Sequence, residues 1–115
     1  MEEAECYIFT AQETLAVGEK VRVPIKFPSG NRQFIIEYAI FNADTGDVGV
    51  RFNSIKHISE NEIILYTSTL TPRDLRFNPN LICFSDGSPQ ITLRNLAATE
   101  EIVDFTLVGR VIIVK

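Results

Sequence analysis

The sequence predicts an all-β chain: a small antiparallel β-barrel or sandwich with short helical turns. Three observations carry this. Val21, Val23, Ile25 and Phe27 alternate with Arg22, Pro24 and Lys26, the period of a strand with one buried face. Turn chemistry punctuates the chain at Pro28-Ser29-Gly30-Asn31 and Ala43-Asp44-Thr45-Gly46-Asp47, where proline pre-sets φ and glycine or asparagine accepts φ > 0. Finally, eight strand-like segments follow one another with short turns and little helix, the pattern of barrels and sandwiches.

At 115 residues the chain reads as a single domain spanning 1–115, able to bury about two thirds of its extended surface. A composition of 45% hydrophobic and 23% charged residues belongs to packed chains rather than disordered ones. The net charge of −4 argues against a general affinity for nucleic acid, which needs a basic face to displace counterions; a local basic patch is compatible with it. No apolar run approaches the ~20 residues of a membrane span. Met1-Glu2-Glu3-Ala4-Glu5 is acidic where a secretory leader is basic and then apolar, so a cytoplasmic location is expected.

Taken in order, Glu2 to Glu5 reads as an acidic lead-in and Tyr7 to Thr10 as a first strand. The polar run Ala11 to Thr14 ends that strand, and Gly18 eases a tight approach to the next. Val21–Phe27, Gln33–Phe41 and Val48–Asn53 then form an expected meander of paired neighbours. Ser59 and Glu62 have the spacing of a capping box, but Ile63 to Thr67 is β-branched and aromatic, and a strand is expected there. Thr71-Pro72-Arg73-Asp74 has the threonine cap and first-turn proline of a short helix, stopped by Asn78-Pro79-Asn80. Leu81–Phe84 and Gln90–Leu93 read as a hairpin about Ser85-Asp86-Gly87-Ser88-Pro89. A loop or single helical turn follows from Asn95 to Glu101. Val103 to Val114 closes the chain as a long strand, with Gly109 marking a bulge or bend.

The stretch from Leu15 to Ile58 resembles the second half of PilZ domains. The matching residues are Leu15 and Gly18, Val21 to Pro28, Phe34 to Ile40, and Gly49-Val50-Arg51-Phe52, about forty of the 115. The resemblance implies a six-stranded barrel, and in many members a site for cyclic di-GMP built from an Arg-x-x-x-Arg cluster and an Asp/Asn-x-Ser-x-x-Gly loop. Guanidinium forks suit phosphates and guanine edges. The nearest counterparts are Arg73-Asp74-Leu75-Arg76, one residue shorter between its arginines, and Asn95 to Glu100, with alanine for serine and glutamate for glycine. The resemblance thus implies a divergent member acting through protein contacts, with Arg73, Arg76 and Asn95 as candidate ligand residues.

Other chemistry is sparse. His57 is the one histidine, and Cys6 and Cys83 lie in apolar, strand-like surroundings expected to bury them as free thiols. Two cysteines and one histidine do not supply the four close ligands of a structural zinc site, so no metal or cofactor is expected. Asp44-Thr45-Gly46 matches the short signature of aspartic proteases, which pair two such aspartates. A chain this short would have to dimerise for that, with Leu107-Val108-Gly109-Arg110 as a faint second motif. Asn42 and Ala43 replace the apolar pair that precedes the aspartate in those enzymes. Lys56, Arg73, Arg76 and Arg94 form a mildly basic group.

The expected function is a non-catalytic regulatory or adaptor module binding a protein partner of unspecified identity, or a second copy of itself, through sheet edges and loops. A cyclic di-GMP sensor and a homodimeric aspartic protease are the alternatives.

Overall fold

The computed structural model describes residues 4–28, 30–43, 45–68 and 72–113. Eight strands run through them: β1 (Ala4–Leu15), β2 (Lys20–Pro24), β3 (Arg32–Ala43), β4 (Thr45–Asn53), β5 (Ile63–Ser68), β6 (Arg73–Phe84), β7 (Gln90–Asn95) and β8 (Glu101–Ile113). They form two four-stranded antiparallel sheets, a first ordered β1-β8-β3-β6 and a second ordered β2-β7-β4-β5. The pairs β1–β8, β2–β7, β3–β6 and β4–β5 are nested. The chain is therefore one long hairpin of strand pairs rolled over on itself, which is the jelly-roll arrangement. It is a sandwich and not a closed barrel.

Alternation explains the core. On the first sheet Phe34, Ile36, Ala39 and Phe41 of β3 and Val103, Phe105 and Leu107 of β8 point inward; Val48, Val50 and Phe52 of β4 and Ile91 and Leu93 of β7 answer them from the second. Phe41 stacks on Phe105 at 5.6 Å and meets Phe52 of the facing sheet edge-on at 6.2 Å. Phe52 in turn meets Phe77 edge-on at 5.9 Å. Burying each such ring contributes about 1.5–3 kcal/mol, and the phenylalanines tie the two sheets together.

Several expectations change. The meander does not form: β2 and β4 belong to the second sheet and β3 to the first, so these neighbours in sequence do not pair. The expected hairpin of Leu81–Phe84 with Gln90–Leu93 fails for the same reason, because residues 85–89 carry the chain from one sheet to the other. Turn residues mark where a chain reverses, but not which ~10 Å layer it re-enters. The helical start is also overturned. Arg73 and Asp74 open β6, a strand of 12 residues, and among the described residues there is no helix. Pairing of Tyr38, Ala39, Ile40 and Phe41 with Arg76, Leu75, Asp74 and Arg73 satisfies the backbone that the helix would have satisfied. Thr71 lies outside the described residues. The first strand outruns its expected end, because Ala11, Gln12, Glu13 and Thr14 keep an unbroken register with Phe105, Asp104, Val103 and Ile102.

The expectation at Gly109 is met. The register of β3 with β8 slips between Ile36, opposite Gly109, and Tyr38, opposite Val108, leaving Glu37 as an extra residue. A Cβ on Gly109 would lie 1.8 Å from the Ile35 carbonyl oxygen, so the bulge closes onto a position only glycine fits. On the other side of β3 the same slip leaves Phe77, Asn78, Pro79 and Asn80 of β6 opposite Glu37 alone. No helix among the described residues is long and apolar enough to cross a membrane.

Candidate functional site

The predicted ligand residues do not converge. Arg73 and Arg76 sit three apart on a strand, so period-two alternation sends them to opposite faces. Arg73 shares the face of Leu75 and Phe77, which pack on the core. Arg76 lies outside, its guanidinium 4.9 Å from the Tyr38 ring centre and 3.5 Å from the Asp74 carboxylate. Asn95 ends β7 in the other sheet and is 2% exposed. Its amide nitrogen donates to the carbonyls of Leu15 (3.1 Å), Ala16 (3.1 Å) and Thr99 (2.9 Å), and its oxygen accepts from Ala97 N–H (2.8 Å). Asn95 thus clamps the β1–β2 turn to the β7–β8 loop. Of the basic group, Lys56 sits over the Phe84 ring at 5.1 Å, and Arg94 lies on the outer face of the second sheet.

At the end of the sandwich away from Asn95, the β2–β3, β4–β5 and β6–β7 connections meet. Ile25 N–H donates to Pro89 O, Ser85 N–H to Arg32 O, Lys56 N–H to Ile82 O, and the Tyr7 hydroxyl to Lys26 O. A cleft of about 580 Å³ lies between the first and third of these loops, with Arg32 and Asp86 among its walls. His57, at φ 75 in the second, donates from Nδ1 to the Asn80 carbonyl at 3.0 Å. That end carries no paired nucleophile and base among its described residues. Asp44, the candidate protease aspartate, lies outside the described residues. The cysteines differ: Cys83 is buried, which pushes its thiol up to about 12, whereas Cys6 is exposed, on the outer side of β1 opposite Arg110. No cluster of three or more His, Cys, Asp or Glu that could hold a metal occurs among the described residues.

The distinctive surface is the first sheet's outer side together with its β1 edge. Ile8 (61% exposed), Val108, Tyr38 and Arg76 form one row across the four strands, and Thr10, Thr106, Ile40 and Asp74 the next. Sequence reasoning missed this surface, although the alternation of β1 carried its signal: Ile8 falls on the polar phase of that strand. Comparison of the chain with protein-family models, with curated proteins and with solved structures returned no match.

Proposed function

We propose that the protein is a non-catalytic regulatory or adaptor module that works through protein contacts, by strand addition at the edge of β1. The observation that supports this is the contrast among the four sheet edges. Natural sheets guard their edges with lysine, proline, bulges or short strands. β2 has five residues and carries Lys20 and Pro24; β5 has six residues; β6 carries Pro79 and an interrupted register. β1 runs 12 residues, Ala-Glu-Cys-Tyr-Ile-Phe-Thr-Ala-Gln-Glu-Thr-Leu, with neither lysine nor proline, and its pairing to β8 has no bulge.

The occupant we assign is a second copy of the chain. An antiparallel register centred on Ile8 sets Ile8 against itself, Tyr7 against Phe9, Cys6 against Thr10, Glu5 against Ala11 and Ala4 against Gln12, with no like-charged pair from residue 4 to residue 12. Such a two-fold contact is self-complementary and closes. This reading rests on the edge and not on the PilZ resemblance, which concerned strands that here pair elsewhere. Light scattering over a range of concentrations tests it: wild type should pass from monomer to dimer mass, and Ile8→Lys should stay monomeric, melting where wild type melts at concentrations too low for the dimer. A wild type that is monomeric throughout, or a variant that dimerises equally well, would sink the proposal.

A further inference from the structure

The second sheet presents a different outer face. Val21 and Val23, Ile91 and Leu93, Val48, Val50 and Phe52, and Leu65 point into the core, so alternation turns Lys20, Arg22, Arg51, Arg94, Ile64 and Tyr66 outward. The register gathers the cations and Ile64 into two rows, Lys20–Arg94–Gly49–Ile64 and Arg22–Thr92–Arg51, and sets Tyr66 in a third, opposite Asp47. With strands ~4.8 Å apart, Arg22 and Arg51 stand about 10 Å from one another across Thr92, and Lys20 lies about 7 Å along its strand from Arg22. These four cations are part of eleven in a chain of net charge −4.

Their partners are unequal. Arg94 is held by Glu62 in a two-pronged ion pair, Nε donating to Oε2 at 2.9 Å and Nη2 to Oε1. Hydrogen bonding to that carboxylate, and then its charge, raise the Arg94 pKa further. Lys20, Arg22 and Arg51 are exposed, and none has an ion-pair partner among the described residues. On the edge strand β5, Ile64 is 50% exposed, and Tyr66, 69% exposed, stands opposite Asp47, about 14 Å from Arg51 by strand geometry.

We propose that this face binds single-stranded nucleic acid, with Lys20, Arg22 and Arg51 contacting backbone phosphates and Tyr66 stacking on a base. Cations and an exposed aromatic on one open face are the elements of such platforms, which track the backbone and hold any base by its π-face; the spacing from Arg51 to Tyr66 is one that a strand of several nucleotides spans. The face is the outer surface of a four-stranded sheet and offers no helix to enter a groove, so unstacked bases fit it better than a duplex does. An acidic peptide or an anionic lipid surface would meet the arginines equally well but would leave Tyr66 without a role, and that separates the cases. The overall charge points away from nucleic acid, but the sheet concentrates cations that the composition averages out.

Anisotropy of labelled DNA and RNA single strands of about 16 nucleotides on the full chain tests this. Three phosphate contacts give a slope of log affinity against log salt of about −2, so binding should weaken ~20-fold between 50 and 200 mM salt. Arg22→Gln and Arg51→Gln should each flatten that slope by about 0.7. Tyr66→Ala should weaken binding about ten-fold at an unchanged slope, while Arg76→Gln on the other sheet should leave it alone. The proposal is overturned by absence of saturable binding at 50 mM salt. It is also overturned if Tyr66→Ala binds the labelled strands as tightly as wild type does, the result expected of a site for an acidic peptide or an anionic lipid surface.

Discussion

The two sheets share one core and differ in almost everything else. The first is built of strands of 12 or 13 residues, the second of strands of five to nine. The first shows Ile8, Val108 and Ile40 to solvent; the second shows Lys20, Arg22 and Arg51. Inner faces must interlock, so both are lined by valine, leucine, isoleucine and phenylalanine at native packing density. Outer faces are free of that demand, and the two differ. In this protein the sheet with the unguarded edge shows Ile8 and Ile40 beside Arg76 and Arg110, and the sheet whose edges are short or blocked shows Lys20, Arg22 and Arg51 together with Ile64 and Tyr66.

Two glycines sharpen the contrast. Gly109→Ala in the first sheet should give the largest effect, a loss of about 3 kcal/mol or more in chemical unfolding, because its Cβ would run into the Ile35 carbonyl of a paired strand. An unchanged midpoint would mean that the bulge at Glu37 is not held as described. Asn95→Ala comes next, at about 2 kcal/mol, since it strips hydrogen bonds from backbone groups at the β1–β2 turn. Amide exchange should locate the loosening at 15–19 and 96–100, and loosening elsewhere would refute the clamp. Gly49→Ala in the second sheet should do least. There the new Cβ would meet the Glu62 carboxylate, 2.6 Å away, and a flexible side chain can swing aside. Losing a partly exposed ion pair costs at most about 1 kcal/mol, and replacing a strand glycine returns about 0.5–1 kcal/mol. A loss as large as that at Gly109 would show that the pair is far more rigid than its exposure implies.

Much of this was legible in the chain. The segment Val48–Asn53 alternates cleanly and is a strand, and Ile63 to Thr67 is one despite the capping pattern ahead of it, because β-branched residues outweigh a cap. Gly109 was readable as a bulge because an isolated glycine in an apolar strand has few other uses. The site was less legible. Arg73 and Arg76 looked like one cluster under a helical reading and separate on a strand. Asn95 carried the residue type of a ligand loop but serves as a backbone clamp. Cys6 and Cys83 sit in similar local sequence, yet opposite phases of their strands expose one and bury the other.

The sequence by itself determined the all-β class, the places where strands run and reverse, and the inward phase of most of them. Each of these follows from period-two patterning and turn chemistry over a few residues. Only the tertiary structure decided that neighbours in sequence part into facing sheets, that β1 is left open at an edge, and that Lys20, Arg22, Arg51 and Arg94 meet on one face. Those outcomes depend on pairings such as Leu15 with Glu101 and Lys20 with Arg94. Such pairings are chosen by how two whole layers bury their apolar sides together, a choice that no local stretch of chain encodes.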